Sequence, residues 1–359
     1  MKILDDLEKI KKIDKSGVYQ SIKSLDKQCW DAWQKVQKTK IPSNYKNFNN
    51  IIVCGMGGSS LGAHVIQALY PNIPLIILRD YHLPGFINKD SLVVLSSYSG
   101  NTEEVLSCAK EVLEKKLKSF VITSNGNLEK LAKKYRLPYY LINPVYNPCG
   151  QPRMAIGYSI FSQLALLARL SVVRLNEQKV KKTIRLIELI QNMYSVEISL
   201  TQNQAKQIAK EIYRKIPILV SAEHLVGASH VFNNQLNENA KHYSDYRIIP
   251  ELNHHLMEGL SFPKSNQQVL EFLFINSFFY TKRTQQRIKL TEEVVRKNKI
   301  STKRIKIAKT KNKLEEVFGL ITLGAFVSFY TAMIHQINPS PIPWVKFFKK
   351  SLKEVADKR

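Results

Sequence analysis

Two short stretches rich in glycine and hydroxyl residues have the composition that holds an anion. The first, Gly55-Met56-Gly57-Gly58-Ser59-Ser60, follows the apolar run 51–54 and leads into a helical pattern from Leu61. Glycines let the backbone approach an anion closely, and a helix start offers free amides and the positive end of its dipole. The spacing is neither GxGxxG nor GK[ST], so it matches neither a dinucleotide fingerprint nor a Walker loop. The second, Ser96-Ser97-Tyr98-Ser99-Gly100-Asn101-Thr102, precedes the acidic helix start EEVL. Ser97, Ser99 and Thr102 present three hydroxyls that can bond phosphate oxygens without a lysine. Thr102 also stands where a helix cap belongs. The first stretch alone reads equally well as a structural tight turn, and ordinary capping explains Thr102 but not the whole hydroxyl cluster; the pair predicts a phosphate site.

Such loops need strands to carry them. Short β-branched runs at 51–54, 75–79, 92–97, 119–124 and 139–142 alternate with amphipathic segments such as TEEVLSCAKEVLEKKL and NLEKLAKKY. This alternation predicts an α/β fold with a parallel, doubly wound sheet. Ligands bind such sheets beyond the strands' carboxyl ends, where both loops fall. From Arg153 to about Tyr213 the pattern is helical, and runs at 218–222, 269–275 and 303–308 predict a second sheet. The expected domains are 1–152, an N-terminal arm and first sheet domain, and 153–359, a helical connection, second sheet domain and C-terminal helix.

At 359 residues the chain suits two domains with substantial cores. Its four cysteines, Cys29, Cys54, Cys108 and Cys149, are scattered without CxxC spacing, which suits a reducing compartment. The N-terminal segment mixes acids and lysines and lacks the apolar core of a secretory signal. One uncharged run, 317–334, reaches the lower length limit for a membrane span, but its Gly, Ser, Thr and Tyr content favours a buried central helix. The net charge of +25 favours anionic partners through the summed field. The lysines are spread along the chain with few aromatics between them, which argues against a nucleic-acid surface.

GMGGSS after one strand and SYSGNTEE after another resemble the SIS sugar-phosphate-binding fold. GQPRMAIGY (150–158), NENAK (237–241) and PELNH (250–254) then resemble, in order, the successive motifs of the bifunctional phosphoglucose/phosphomannose isomerase family. The resemblance implies two SIS-type doubly wound parallel-sheet domains. It implies that Gly57, Gly58, Ser59, Ser97, Ser99 and Thr102 hold the substrate phosphate, with Arg153, Glu238 and His254 at the sugar carbons. The implied reaction is reversible aldose–ketose isomerisation of hexose 6-phosphates, glucose 6-phosphate to fructose 6-phosphate and also mannose 6-phosphate, without metal or cofactor. A cytoplasmic homodimer with no membrane partner is the implied setting.

The chemistry asks for the same residue types. Moving hydrogen between C2 and C1 needs a carboxylate with a tuned pKa, and Glu238 is the candidate. A fixed guanidinium, Arg153, stabilises the negative cis-enediolate. Ring opening needs a group that exchanges protons near neutral pH, and His254 matches. Read singly, each of the three is more readily an ordinary polar residue, Arg153 in a surface salt bridge at a helix start, Glu238 on a solvated helix face and His254 in a polar loop. NPSPI (338–342) and the following helix resemble the family's closing segment and put Ser340 and Lys349 near the site, Ser340 at the position linked with accepting either C2 epimer. The family's Asn-Glu after the histidine is replaced by His255-Leu256, which removes an amide and a carboxylate from around it. Two rival readings share the fold: a sugar-phosphate sensor with a basic nucleic-acid-contacting surface, and another SIS-fold phosphosugar isomerase. The sensor has no evident use for Arg153, Glu238 and His254, and no helix-turn-helix extension accompanies the loops.

Overall fold

The computed structural model describes residues 2–307 and 310–356. Strands β1 (Asn50–Cys54), β2 (Leu75–Leu78), β3 (Ser91–Ser97), β4 (Lys118–Thr123) and β5 (Tyr139–Leu141) form a parallel sheet in the order β2-β1-β3-β4-β5. Its winding reverses between β1 and β3, so the glycine loop and the hydroxyl loop open onto the same crevice. Every residue of β3 is buried, as a central strand covered on both faces requires. Strands β6 (Ile216–Ala222), β7 (Asp245–Ile249), β8 (Leu270–Ile275) and β9 (Ser301–Ile305) form a second parallel sheet, ordered β7-β6-β8-β9.

Helices α1 (Leu7–Ile13), α2 (Val18–Ile22) and α3 (Leu25–Lys38) form the N-terminal arm. In the first sheet region α4 (Gly58–Leu69), α5 (Glu103–Glu114) and α6 (Gly126–Lys134) follow β1, β3 and β4. Three helices, α7 (Ile156–Arg169), α8 (Glu177–Met193) and α9 (Gln204–Ile212), lead to the second sheet. There α10 (Val226–Asn239), the short α11 (Leu252–His255) and α12 (Asn266–Val269), and α13 (Lys282–Lys297) alternate with strands, followed by α14 (Lys313–Ile334) and α15 (Pro343–Ala356).

The run at 303–308 forms the end of β9 only as far as Ile305, and Ala308 lies outside the described residues. Strand β7 falls outside the predicted runs. Its sequence DYRII carries two charges, ends at a proline and lies at a sheet edge where only Ile249 is buried, so neither alternation nor an apolar run marks it. Helix α14 is long and apolar enough to cross a membrane by length and composition, yet its apolar window is wholly buried within the protein. It serves as the central helix against which α8, α9 and α10 pack. Helices α4 and α10 approach closely at Gly227, where a Cβ would come within 2.5 Å of the Val65 Cα. This contact ties the helix that starts at the glycine loop to the helix that carries Glu238.

Candidate active site

At the first crevice, Gly57 adopts φ +48° at the head of α4, a left-handed conformation natural to glycine. The two loops are cross-linked. The Ser96 hydroxyl donates to the Ser59 carbonyl at 3.1 Å, and the Tyr98 amide donates to the Ser59 hydroxyl at 3.0 Å. Thr102 occupies the cap position of α5, but its hydroxyl pairs with the Ser97 hydroxyl at 2.8 Å and leaves the helix amides uncapped. No side chain caps α4 either. Both helices therefore present an uncapped positive end to one crevice lined by Ser59, Ser97 and Thr102, and Ser99 stands exposed at its rim, where its hydroxyl accepts from the Asn101 amide.

Gly58 joins this crevice to the next group. A Cβ there would stand 2.9 Å from the Pro152 carbonyl carbon and oxygen and 3.0 Å from the Arg153 nitrogen, so the glycine loop rests directly on the segment that bears the arginine. Arg153 is only 1% exposed, in a short turn before α7, and all five of its N–H donors are engaged. Nε donates to Asn239 Oδ1 at 2.5 Å; Nη1 donates to Gln151 Oε1 at 3.0 Å and to Glu238 Oε2 at 3.3 Å. Nη2 donates to the carbonyls of Pro339 at 2.9 Å and Ser340 at 2.8 Å. The guanidinium is thus fixed, with its longest bond to the one partner that is charged.

Glu238 lies near the carboxyl end of α10, its side chain 32% exposed. Burial raises its pKa above the ordinary 4.5, and the positive charges of Arg153, Lys241 and Lys349 work against that rise. Ser340 is buried, and its hydroxyl accepts from Gln151 Nε2 at 3.1 Å. Lys349 is exposed on α15, close enough for its charge to act on Glu238. Arg153, Glu238, Ser340 and Lys349 are therefore neighbours. His254 is not among them: it is exposed on α11 and makes no side-chain hydrogen bond or ion pair to Arg153 or Glu238 among the described residues. The adjacent His255 faces Glu251, 3.7 Å away.

Three residues that sequence reasoning did not single out complete the group. Gln151 bridges Arg153 and Ser340, Asn239 accepts from Arg153, and Lys241 follows α10 with its ammonium turned onto backbone carbonyls. All three fall inside the motifs GQPR and NENAK, so the signal was their position beside a charged candidate.

The comparisons extend along the chain. Residues 201–352 match the bacterial phospho-glucose isomerase C-terminal SIS domain. A bifunctional phosphoglucose/phosphomannose isomerase of Caldicellulosiruptor bescii is 28% identical over 95% of this chain and 100% of its own. A hypothetical protein of Thermus thermophilus shares the fold with TM-score 0.75 at 14% identity, covering 98% of this chain and 94% of its own. A glucose-6-phosphate isomerase like protein of the same organism does so with TM-score 0.63 at 13% identity, covering 98% and 99%. The two parallel sheets are the SIS-type α/β architecture.

Proposed function

We propose that this chain, a relative of the bifunctional phosphoglucose/phosphomannose isomerases, interconverts glucose 6-phosphate and fructose 6-phosphate, and accepts mannose 6-phosphate as well. The observation that carries the reading is the contact between a carboxylate of raised pKa and a buried guanidinium, on a segment pressed against a crevice built for an anion. The phosphate binds at Gly57, Gly58, Ser59, Ser97, Ser99 and Thr102. With the ring open, ionised Glu238 takes the proton from C2 of the aldose, and the electron pair released resides as enediolate charge on oxygen; the hydroxyl proton passes from O2 to O1 and Glu238 returns its proton to C1, which leaves the ketose. Arg153 lowers the energy of that charge by proximity, its donors being already committed. Lys349 adds a second positive charge, and Ser340 contributes a hydroxyl at the wall of the site. The reaction uses side chains alone.

Ring opening falls to His254, and the partner of a homodimer supplies it. This is supported by the exposure of His254 away from Glu238 and by the uncovered apolar residues Trp344, Phe347 and Phe348 on α15. A reducing cytoplasm is the setting, in keeping with four buried, unpaired cysteines. Glu238→Gln and His254→Gln should each nearly abolish conversion of fructose 6-phosphate while phosphate-ester binding persists. Dimers reassociated from an equal mixture should regain about a quarter of wild-type activity, since half are mixed and each of those has one intact site. Full conversion by Glu238→Gln would remove the proposed base; no recovery in the mixture would remove the shared site.

A further inference from the structure

Lys241 stands just beyond α10 in a left-handed backbone conformation, φ +49°, that lysine seldom adopts. The ammonium has three N–H donors and meets three acceptors: the carbonyls of Asn239 at 3.2 Å, Asn338 at 3.1 Å and Pro339 at 2.8 Å. As an ammonium it has no lone pair, so in this state it cannot act as a base. Two of the three acceptors belong to the turn Asn338-Pro339-Ser340. The Pro339 carbonyl takes Lys241 on one side and Arg153 Nη2 on the other. The turn is also internally braced, since the Ser340 amide donates to Asn338 Oδ1 at 3.1 Å, and prolines at 339 and 341 restrict the backbone around Ser340.

We infer that Lys241 is a positioning residue, a clamp that holds the Asn338–Ser340 turn against the end of α10 and so fixes that wall of the site beside Arg153 and Glu238. In linking the clamp to turnover, this rests on the isomerase reading above. Arg153 alone grips the turn only at Pro339 and Ser340; without Lys241 the Asn338 carbonyl loses its lysine and the Pro339 carbonyl loses one of two donors. Ser340 can then drift from Gln151, and Gln151 in turn from the guanidinium. The charge is itself conditional: burial and the neighbouring Arg153 bring Lys241 down to about 8, partly opposed by Glu238. Lys349 of α15 also acts on Glu238 through its charge, while the adjacent His242 and His335 are paired with each other at 3.0 Å. A lysine that loses its proton near pH 8 gives up one of its three hydrogen bonds, two of which go to the turn, and its charge attraction for the remaining acceptors.

Amide hydrogen exchange of segment 337–342, corrected for intrinsic rate, is measured in wild type, Lys241→Met and Lys241→Arg on both sides of pH 8, together with kcat and KM for fructose 6-phosphate. Lys241→Met should speed exchange in the turn and lower kcat roughly 10- to 100-fold, the scale of a small misplacement of catalytic groups. KM should stay within about threefold. In wild type, exchange should rise and kcat fall as pH passes 8, and Lys241→Arg, which keeps its charge, should extend the kcat plateau upward. Unchanged turn exchange in Lys241→Met overturns the clamp, whether or not the protein turns over sugar phosphates; faster exchange with wild-type kcat overturns its role in positioning. Should Lys241→Met not fold, the wild-type series decides, and exchange that is flat across pH 8 counts against the clamp.

Discussion

Glu238 is pulled in two directions: burial favours its neutral form, while Arg153, Lys241 and Lys349 favour the carboxylate. A base must be ionised to act, so kcat/KM should rise with pH through the titration of Glu238 in the free enzyme, at a pH above 4.5. Removing the exposed charge in Lys349→Met strips away one opposing influence and should move this acid limb to higher pH. The shift should be smaller at high salt, which screens an exposed lysine. A limb that stays in place at low salt would show that Lys349 does not reach the base. At this scale the charged members of the group were legible because they recur in a recognisable order of motifs. Gln151, Asn239 and Lys241 were not, since their roles depend on which carbonyls and amides the fold turns toward Arg153, and sequence spacing does not encode that. Thr102 makes the same point: its type and position predict a cap, and its hydroxyl instead joins the Ser97 side of the crevice.

Among the elements, the contact of the glycine loop with the Arg153 segment joins the anion crevice to the guanidinium. Gly58→Ala places a methyl 2.9 Å from backbone atoms of Pro152, which cannot rotate away as a side chain would. The variant should be destabilised by about 1–3 kcal/mol, the usual cost of overpacking, and should lose activity beyond that by separating the anion crevice from the guanidinium. Denaturation together with kcat at a temperature where the variant is folded separates the two effects; wild-type stability and rate would mean that the two segments part without consequence. Seven of the nine described strands were legible as short apolar runs, the pattern of strands in a parallel sheet, and β9 was met only in part by the charged run at 303–308. The exception, β7, has water on one side and needs no such run. Helix α14 looked ambiguous for a physical reason: the interior of a large α/β protein and a bilayer select the same side chains, and only the surrounding helices distinguish them.

For the molecule as a whole, the crevice of the first sheet, a shared central helix and a close α4–α10 crossing bring residues from 57 to 349 into one neighbourhood. The strongly basic surface adds a field that favours a phosphorylated substrate, though its lysines were spread too evenly for the sequence to name a partner. The position of His254 could not be read from sequence, because spacing along a chain does not reveal whether a residue serves its own site or a partner's. The proposed reaction is tested by NMR of chelator-treated protein with fructose 6-phosphate in heavy water. Glucose 6-phosphate and mannose 6-phosphate should both appear, with deuterium at C2. Folded protein that binds the phosphosugar yet forms neither aldose and exchanges no carbon-bound hydrogen would contradict that reaction.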